Sequence, residues 1–279
     1  MSTIAIIGAG PVGGALAHKL AVRSRVRTVR LIDPEGRVAE GKALDILQSS
    51  PVDSFSTQVT AGTKYTDVAG ADAIVLADLV AGGEIHGEGG LALLKQLARI
   101  ESKAPLLFAC GGQRELMART AGELHVDSVR LIGSAPLALE SAVGALTAAL
   151  LDSGPADVSV GIAGIPPYDA VIAWESATAF NQPIGRLLPP HQMASLSARL
   201  PALWPPQPYS LGSAAARVAE ALTLGARRRY TCFALIDVAG VGRNVIAAVP
   251  VEIVKGGIKG TLPPALSPHE RTLFERGLR

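Results

Sequence analysis

Ile4-Ala5-Ile6-Ile7-Gly8-Ala9-Gly10-Pro11-Val12-Gly13-Gly14-Ala15-Leu16-Ala17-His18-Lys19-Leu20 is the stretch that decides the fold of this 279-residue chain. A continuous apolar run, Ile4 to Ile7, enters a glycine-rich turn and leaves it with helical patterning, so it reads as strand, tight turn, helix. A second apolar strand, Thr28 to Ile32, ends in Asp33, about twenty residues beyond Gly13. Spacing and flanking elements together make the fingerprint of a dinucleotide-binding turn.

Each residue of the turn has a physical task in that reading. Gly8 allows the sharp reversal, Gly10 removes the Cβ that would hold a pyrophosphate away from the backbone, and Gly13 lets helix and strand approach closely. Pro11 and Val12 open the helix, whose free N–H groups and positive dipole end face the pyrophosphate. Asp33 is placed to accept hydrogen bonds from an adenosine ribose and to repel a 2′-phosphate, which favours NAD over NADP, although Arg37 lies close enough to soften that preference.

The composition, 48% hydrophobic with 30 glycines and only 4% aromatic residues, suits a tightly packed α/β protein with room for two modest domains. Twenty-six Lys and Arg against 24 Asp and Glu give no electrostatic case for nucleic acid, and Arg227-Arg228-Arg229 reads as a solvated helix end. No window is apolar over the roughly eighteen residues a bilayer demands, and the N-terminus runs into a core strand without a signal-peptide pattern, so a cytoplasmic location is expected. Cys110 and Cys232 fit no metal-ligand spacing and read as reduced core thiols.

Strand and helix alternate through the first half. Helical spacing covers 36–48, followed by strands at 58–61 and 71–77, a glycine-laden loop at 81–90 and a helix at 91–100. A strand at 106–109, a helix at 115–124 and a strand at 129–132 complete a doubly wound, mostly parallel Rossmann-type sheet. The pattern changes near residue 138. Beyond it lie a small-residue helix to about 151, a strand at 158–163, a proline-rich run at 200–208, a helix at 213–224 and strands at 231–238 and 244–254. Those last two form an antiparallel pair joined at 239–242. The expectation is a dinucleotide-binding domain over 1–138 and an α+β domain with antiparallel strands over 139–279.

Over almost its whole length the chain resembles the lactate/malate dehydrogenase family. The signs are the glycine turn; Gly41-Lys42-Ala43-Leu44-Asp45; Tyr65-Thr66-Asp67-Val68-Ala69-Gly70-Ala71-Asp72; Leu131-Ile132-Gly133; and Leu262-Pro263 with Ser267-Pro268-His269-Glu270-Arg271. The resemblance implies an NAD-dependent 2-hydroxy acid dehydrogenase that assembles as a homodimer or homotetramer. Apolar faces at 38–47 and 213–224 are the surfaces expected to self-associate.

It also implies a set of catalytic positions, which this chain fills with other residues. The arginines of the family's substrate loop fall on Gly82 and about Glu88, and Gly111-Gly112 stands where the family has an Asn-Pro turn. The acid that orients the catalytic histidine falls on Leu139, the substrate-carboxylate arginine on Ala142, and the histidine itself on Pro166. Glu140 is one residue from the acid's place, about 100° round a helix.

A 2-hydroxy acid dehydrogenase requires a proton acceptor for the hydroxyl and a cation for the carboxylate, and neither survives at the matching positions. The sequence therefore points to an NAD-binding protein of this family without malate or lactate dehydrogenase activity. The alternative is an NAD-dependent oxidoreductase for a substrate without a carboxylate, with His86, Arg114, Tyr168 or Asp169 taking the polar roles.

Overall fold

The computed structural model describes residues 2–101, 103–225, 227–238 and 242–279, with backbone alone at 242 and 243. The first half opens with β1 (Thr3–Ile7), α1 (Pro11–Arg23), β2 (Thr28–Ile32), α2 (Gly36–Asp53), β3 (Gln58–Gly62) and β4 (Ala73–Leu76). A short ribbon, β5 (Asp78–Leu79) and β6 (Gly83–Glu84), follows. Then come α3 (Gly87–Ile100), β7 (Leu106–Phe108), α4 (Arg114–Leu124), β8 (Leu131–Gly133) and α5 (Ala135–Leu150).

The second half begins with β9 (Val158–Ser159), β10 (Ile162–Ile165), β11 (Asp169–Ile172), β12 (Thr178–Ala179) and β13 (Gln182–Pro183). Helices α6 (Pro190–Ala198) and α7 (Pro208–Leu224) lead to the long strands β14 (Arg228–Val238) and β15 (Gly242–Val254), then β16 (Gly257–Thr261) and α8 (Pro268–Gly277).

Strands β3, β2, β1, β4, β7 and β8 pair in parallel in that order, the doubly wound arrangement expected from the sequence. The sheet does not stop there. Phe233 of β14 pairs antiparallel with Gly133 of β8, and the sheet runs on through β15, β10 and β11, with β16 on the far part of β15. The antiparallel strands expected in the second half are thus present, as an extension of the parallel sheet.

Several bounds differ from the sequence reading for identifiable reasons. The strand expected over 158–163 divides, because β9 pairs with β12 in a separate small sheet while β10 joins the large one. α7 begins at Pro208, not 213, since a proline at the first helical position loses no hydrogen bond. α2 continues to Asp53, past Pro51. The loop at 81–90 is partly ordered as β6 and the first turn of α3. The junction at 239–241 between β14 and β15 lies outside the described residues, but the pairing on either side is antiparallel as expected.

The inner parallel strands β1, β4, β7 and β8 are buried on both faces, as their largely Val, Ile, Leu and Ala content dictates, while β2 and β3 toward the edge carry the part-exposed Arg30 and the exposed Gln58 and Thr60; the strands form one core with α1, α7, β14 and β15. A smaller core gathers Leu139, Val143, Ile162, Ile172, Leu196 and Leu200 in the second half. Trp204 packs against both. The boundary expected at 138 falls inside α5. The expectation that α7 carries an uncovered apolar face is corrected by the same packing, because Leu211, Val218 and Leu222 are core residues.

Candidate functional site: the dinucleotide groove

The glycine turn is built as its sequence requires. A Cβ on Gly13 would run into the Gly8 carbonyl, so α1 and β1 approach as closely as the spacing implied. The helix starts with Gly10 as N-cap and Pro11 at its first position, neither of which supplies a capping side chain. Its amides are nevertheless not free. Val12 N donates to Asp78 Oδ1 and Oδ2 at 3.0 and 3.2 Å, and Gly13 N donates to Asp78 Oδ1 at 3.0 Å. Asp78 is buried, and its main-chain carbonyl accepts from Gly10 N at 2.8 Å. A carboxylate at a helix N-terminus satisfies orphan donors and meets the positive dipole end, a role commonly worth about 1 kcal/mol.

On its other side the turn is held by Lys42, whose Nζ donates to the carbonyls of Ala9 and Gly10 at 2.6 and 3.1 Å. Asp33 stands at the end of β2, where the sequence placed it, but its side chain turns inward. It is fully buried and accepts from Ala9 N at 2.8 Å, Val80 N at 3.0 Å and Glu35 N at 2.9 Å. Arg37 is exposed.

The far end of the groove is closed in the same manner. Glu84 Oε2 accepts from Gly112 N at 2.9 Å. Gln113, fully buried, accepts from Cys110 N at 3.0 Å through its amide oxygen and donates to Ala77 O at 3.2 Å. A Cβ on Gly111 would lie 2.8 Å from Pro205 Cβ and 3.4 Å from Trp204 Cζ2. Trp204 is locked in turn by an edge contact with Phe233, ring centroids 5.9 Å apart. Asp78, Glu84, Gln113 and Trp204 were not singled out from the sequence; the signal at Asp78 was an acid two residues beyond the apolar parallel strand β4.

The positions to which the resemblance assigned chemistry lie as follows. Leu139 is fully buried in the smaller core, Pro166 is buried and Ala142 half-buried. Gly82 is exposed with φ +117°, and Glu88 is an exposed partner of Arg119 at 2.9 Å. The replacements considered in the sequence do not converge. His86 is exposed just before α3. Arg114 points a guanidinium nitrogen at the Ile246 carbonyl, 3.4 Å away.

Tyr168, 81% exposed, and Asp169 line a different cavity of about 520 Å³, walled by α6 and α8 through Met193, Ser197, His269 and Glu270. Glu140 is held by other partners. Its carboxylate accepts from the Thr231 hydroxyl and the Ile162 amide, and burial pushes its carboxyl up to about 7. Among the described residues no group of three or more His, Cys, Asp or Glu is placed to hold a metal ion, and no helix is long and apolar enough to cross a membrane.

A strand, glycine turn and helix at the switch point of a parallel sheet, with an acid ending the next strand, define a dinucleotide-binding protein of the Rossmann class. Residues 2–102 match the NAD-binding domain of lactate/malate dehydrogenases. That domain is of the lactate/malate dehydrogenase type, with NAD as its cofactor, and along nearly its whole length the chain is similar to proteins of that family.

It is 28% identical to the L-lactate dehydrogenase of Geotalea daltonii over 99% of this chain and 96% of that protein. It is 26% identical to a malate dehydrogenase of Dehalococcoides mccartyi over 99% and 95%. The fold superposes on the malate dehydrogenase of Picrophilus torridus with a TM-score of 0.86 at 21% identity, covering 99% of this chain and 94% of that one. It likewise superposes on the lactate dehydrogenase of Cryptosporidium parvum, solved with lactic acid and nicotinamide adenine dinucleotide, at 0.87 and 20% over the same shares. The backbone frame of this chain suits a dinucleotide; the donors that would receive the pyrophosphate are held by Asp78.

Proposed function

We propose that this chain is an NAD-binding lactate/malate dehydrogenase-like protein that does not carry out the malate or lactate reaction. The observation that carries the reading is Pro166: a buried ring with no titratable atom at the place where the family keeps its proton-transferring histidine. The surrounding positions agree. Leu139 offers no carboxylate to orient an imidazole, and Gly82, Glu88 and Ala142 offer no cation to a substrate carboxylate.

Bound NAD would supply a hydride acceptor. The proton carrier and the anion clamp have to come from the protein, and here they are missing. General acid–base catalysis alone is typically worth about 10²–10⁴ in rate, and an anionic keto acid entering a groove without cations loses hydration with no charged partner in return.

The test is NADH oxidation with oxaloacetate or pyruvate at millimolar concentration, where no rate above the protein-free blank is expected. Pro166→His alone should not restore turnover, because Leu139 gives the new ring no partner to fix its tautomer. Turnover of either acid by the unmodified chain would refute the proposal. The same reading includes self-association through α2.

A further inference from the structure

We propose that Asp78 is a built-in anion that occupies the dinucleotide cradle of this chain and sets its affinity for nucleotide. This rests on the NAD-binding reading above and goes beyond it by naming what a dinucleotide must displace.

Four observations converge. The Asp78 carboxylate takes the Val12 and Gly13 amides at 3.0–3.2 Å, and these are the helix N-terminal donors that a glycine turn offers to a pyrophosphate. It also fills the space that Gly10 keeps clear: a Cβ built on Gly10 would lie 2.5 Å from Asp78 Cγ, so the side chain presses on the face of the turn that a phosphate would use. The group is only 7% exposed, which makes it part of the packed structure and not a surface side chain swinging past.

Finally, two further acids treat the groove in the same way. Asp33 spends its oxygens on Ala9, Glu35 and Val80, and Glu84 spends one on Gly112. Three carboxylates therefore lie against backbone N–H groups from the end of β2 to the end of β7.

A dinucleotide brings two negative charges to this line. To reach Val12 and Gly13 it must move Asp78 aside, and Asp78 belongs to the β5–β6 ribbon, whose Leu79 pairs with Gly83 and whose next residue, Val80, is tied to Asp33. Removing the Asp78 carboxylate leaves the amides open and removes the nearest like charge, so nucleotide affinity rises. A residue that served only to cap α1 would do the reverse: its loss would loosen the turn and weaken binding.

The experiment is NADH fluorescence titration of the full chain, wild type beside Asp78→Ala and Asp78→Asn, at one fixed ionic strength, with thermal unfolding of each recorded with and without NADH. Asn is the second variant because its amide oxygen can still accept from Val12 while carrying no charge, which protects the comparison if Ala fails to fold. The expected result is NADH affinity at least tenfold tighter in the variants and a larger NADH-induced rise in their melting temperature, even if their unliganded melting temperature falls. Equal affinity in wild type and variants, or weaker affinity in the variants, overturns the role of Asp78 and leaves the NAD-binding reading standing. No binding by any of the three at millimolar NADH overturns both.

Discussion

Replacing Glu140 with Gln should stabilise the protein above neutral pH. Glu140 lies on α5 with its carboxyl buried, and burial pushes it from 4.5 up to about 7, against the opposing pull of hydrogen bonds from Thr231 and the Ile162 amide. The folded state therefore holds a proton that the unfolded chain releases near 4.5. Below that pH both states are protonated and the folded protein bears no penalty. As pH rises from about 4.5 the unfolded state gains the advantage of ionising, and the loss of stability is complete once pH passes the folded value near 7.

At ~1.4 kcal/mol for each tenfold change in proton affinity, the full penalty is about 3 kcal/mol. Gln has the same shape, keeps an oxygen for the Thr231 hydroxyl and the Ile162 amide, and cannot ionise. Urea unfolding at pH 5.5 and 8.5 should show wild type losing stability across that interval and Glu140→Gln losing less, with the variant more stable by about 1–3 kcal/mol at pH 8.5. A variant less stable than wild type at pH 8.5, or an unchanged difference between the two pH values, would refute the assignment.

Cys110 and Cys232 are both buried, and burial pushes both thiols above their ordinary range, helped by the nearby carboxylates of Glu84 and Asp78 for the first and Glu140 for the second. Neither should react with an aromatic disulfide reagent at pH 8 until the protein is unfolded, when two thiols per chain should titrate; rapid labelling of the native protein would contradict this. Helix α2 exposes Val38, Leu44, Leu47 and Val52, the last at 85%, beside a cavity of about 670 Å³ shared with α1 and Tyr209. Leu44 and Leu47, neighbours on one side of the helix, offer an apolar contact for association, so light scattering at micromolar concentration should report a dimer or larger, and Leu44→Glu should shift it toward monomer. A wild-type monomer at that concentration would dismiss the idea.

The frame of the groove was legible in the sequence because its signals are local. Gly8, Gly10 and Gly13 act within six residues, and the apolar runs of β1, β2 and β4 identify themselves as buried parallel strands without reference to anything else. The state of the groove was not legible, because it depends on where a side chain from one βα junction meets the backbone of another. Asp78 is 66 positions from Val12, and Trp204 reaches Gly111 across 93. Asp33 shows the limit most clearly. Its position at the end of β2 followed from spacing, while its orientation was decided by three amides, those of Ala9, Glu35 and Val80, two of which belong to other strand ends.

The substitutions also make sense together more readily than one at a time. An active site for anionic substrates gathers cations and unpaired N–H donors at the carboxyl edge of the sheet, and those donors carry a cost when no ligand satisfies them. In this chain the cations are absent at Gly82, Glu88 and Ala142, and the donors at Ala9, Val12, Gly13, Val80 and Gly112 are satisfied from within by Asp33, Asp78 and Glu84. Each internal carboxylate removes a reason for the groove to bind an anion and adds hydrogen bonds to the unliganded fold. The groove edge thus becomes self-sufficient. If the acids act jointly, opening the cradle at Asp78 should restore only the dinucleotide's phosphate contacts, while substrate anions would still find Glu84 on Gly112 and no cation beside it.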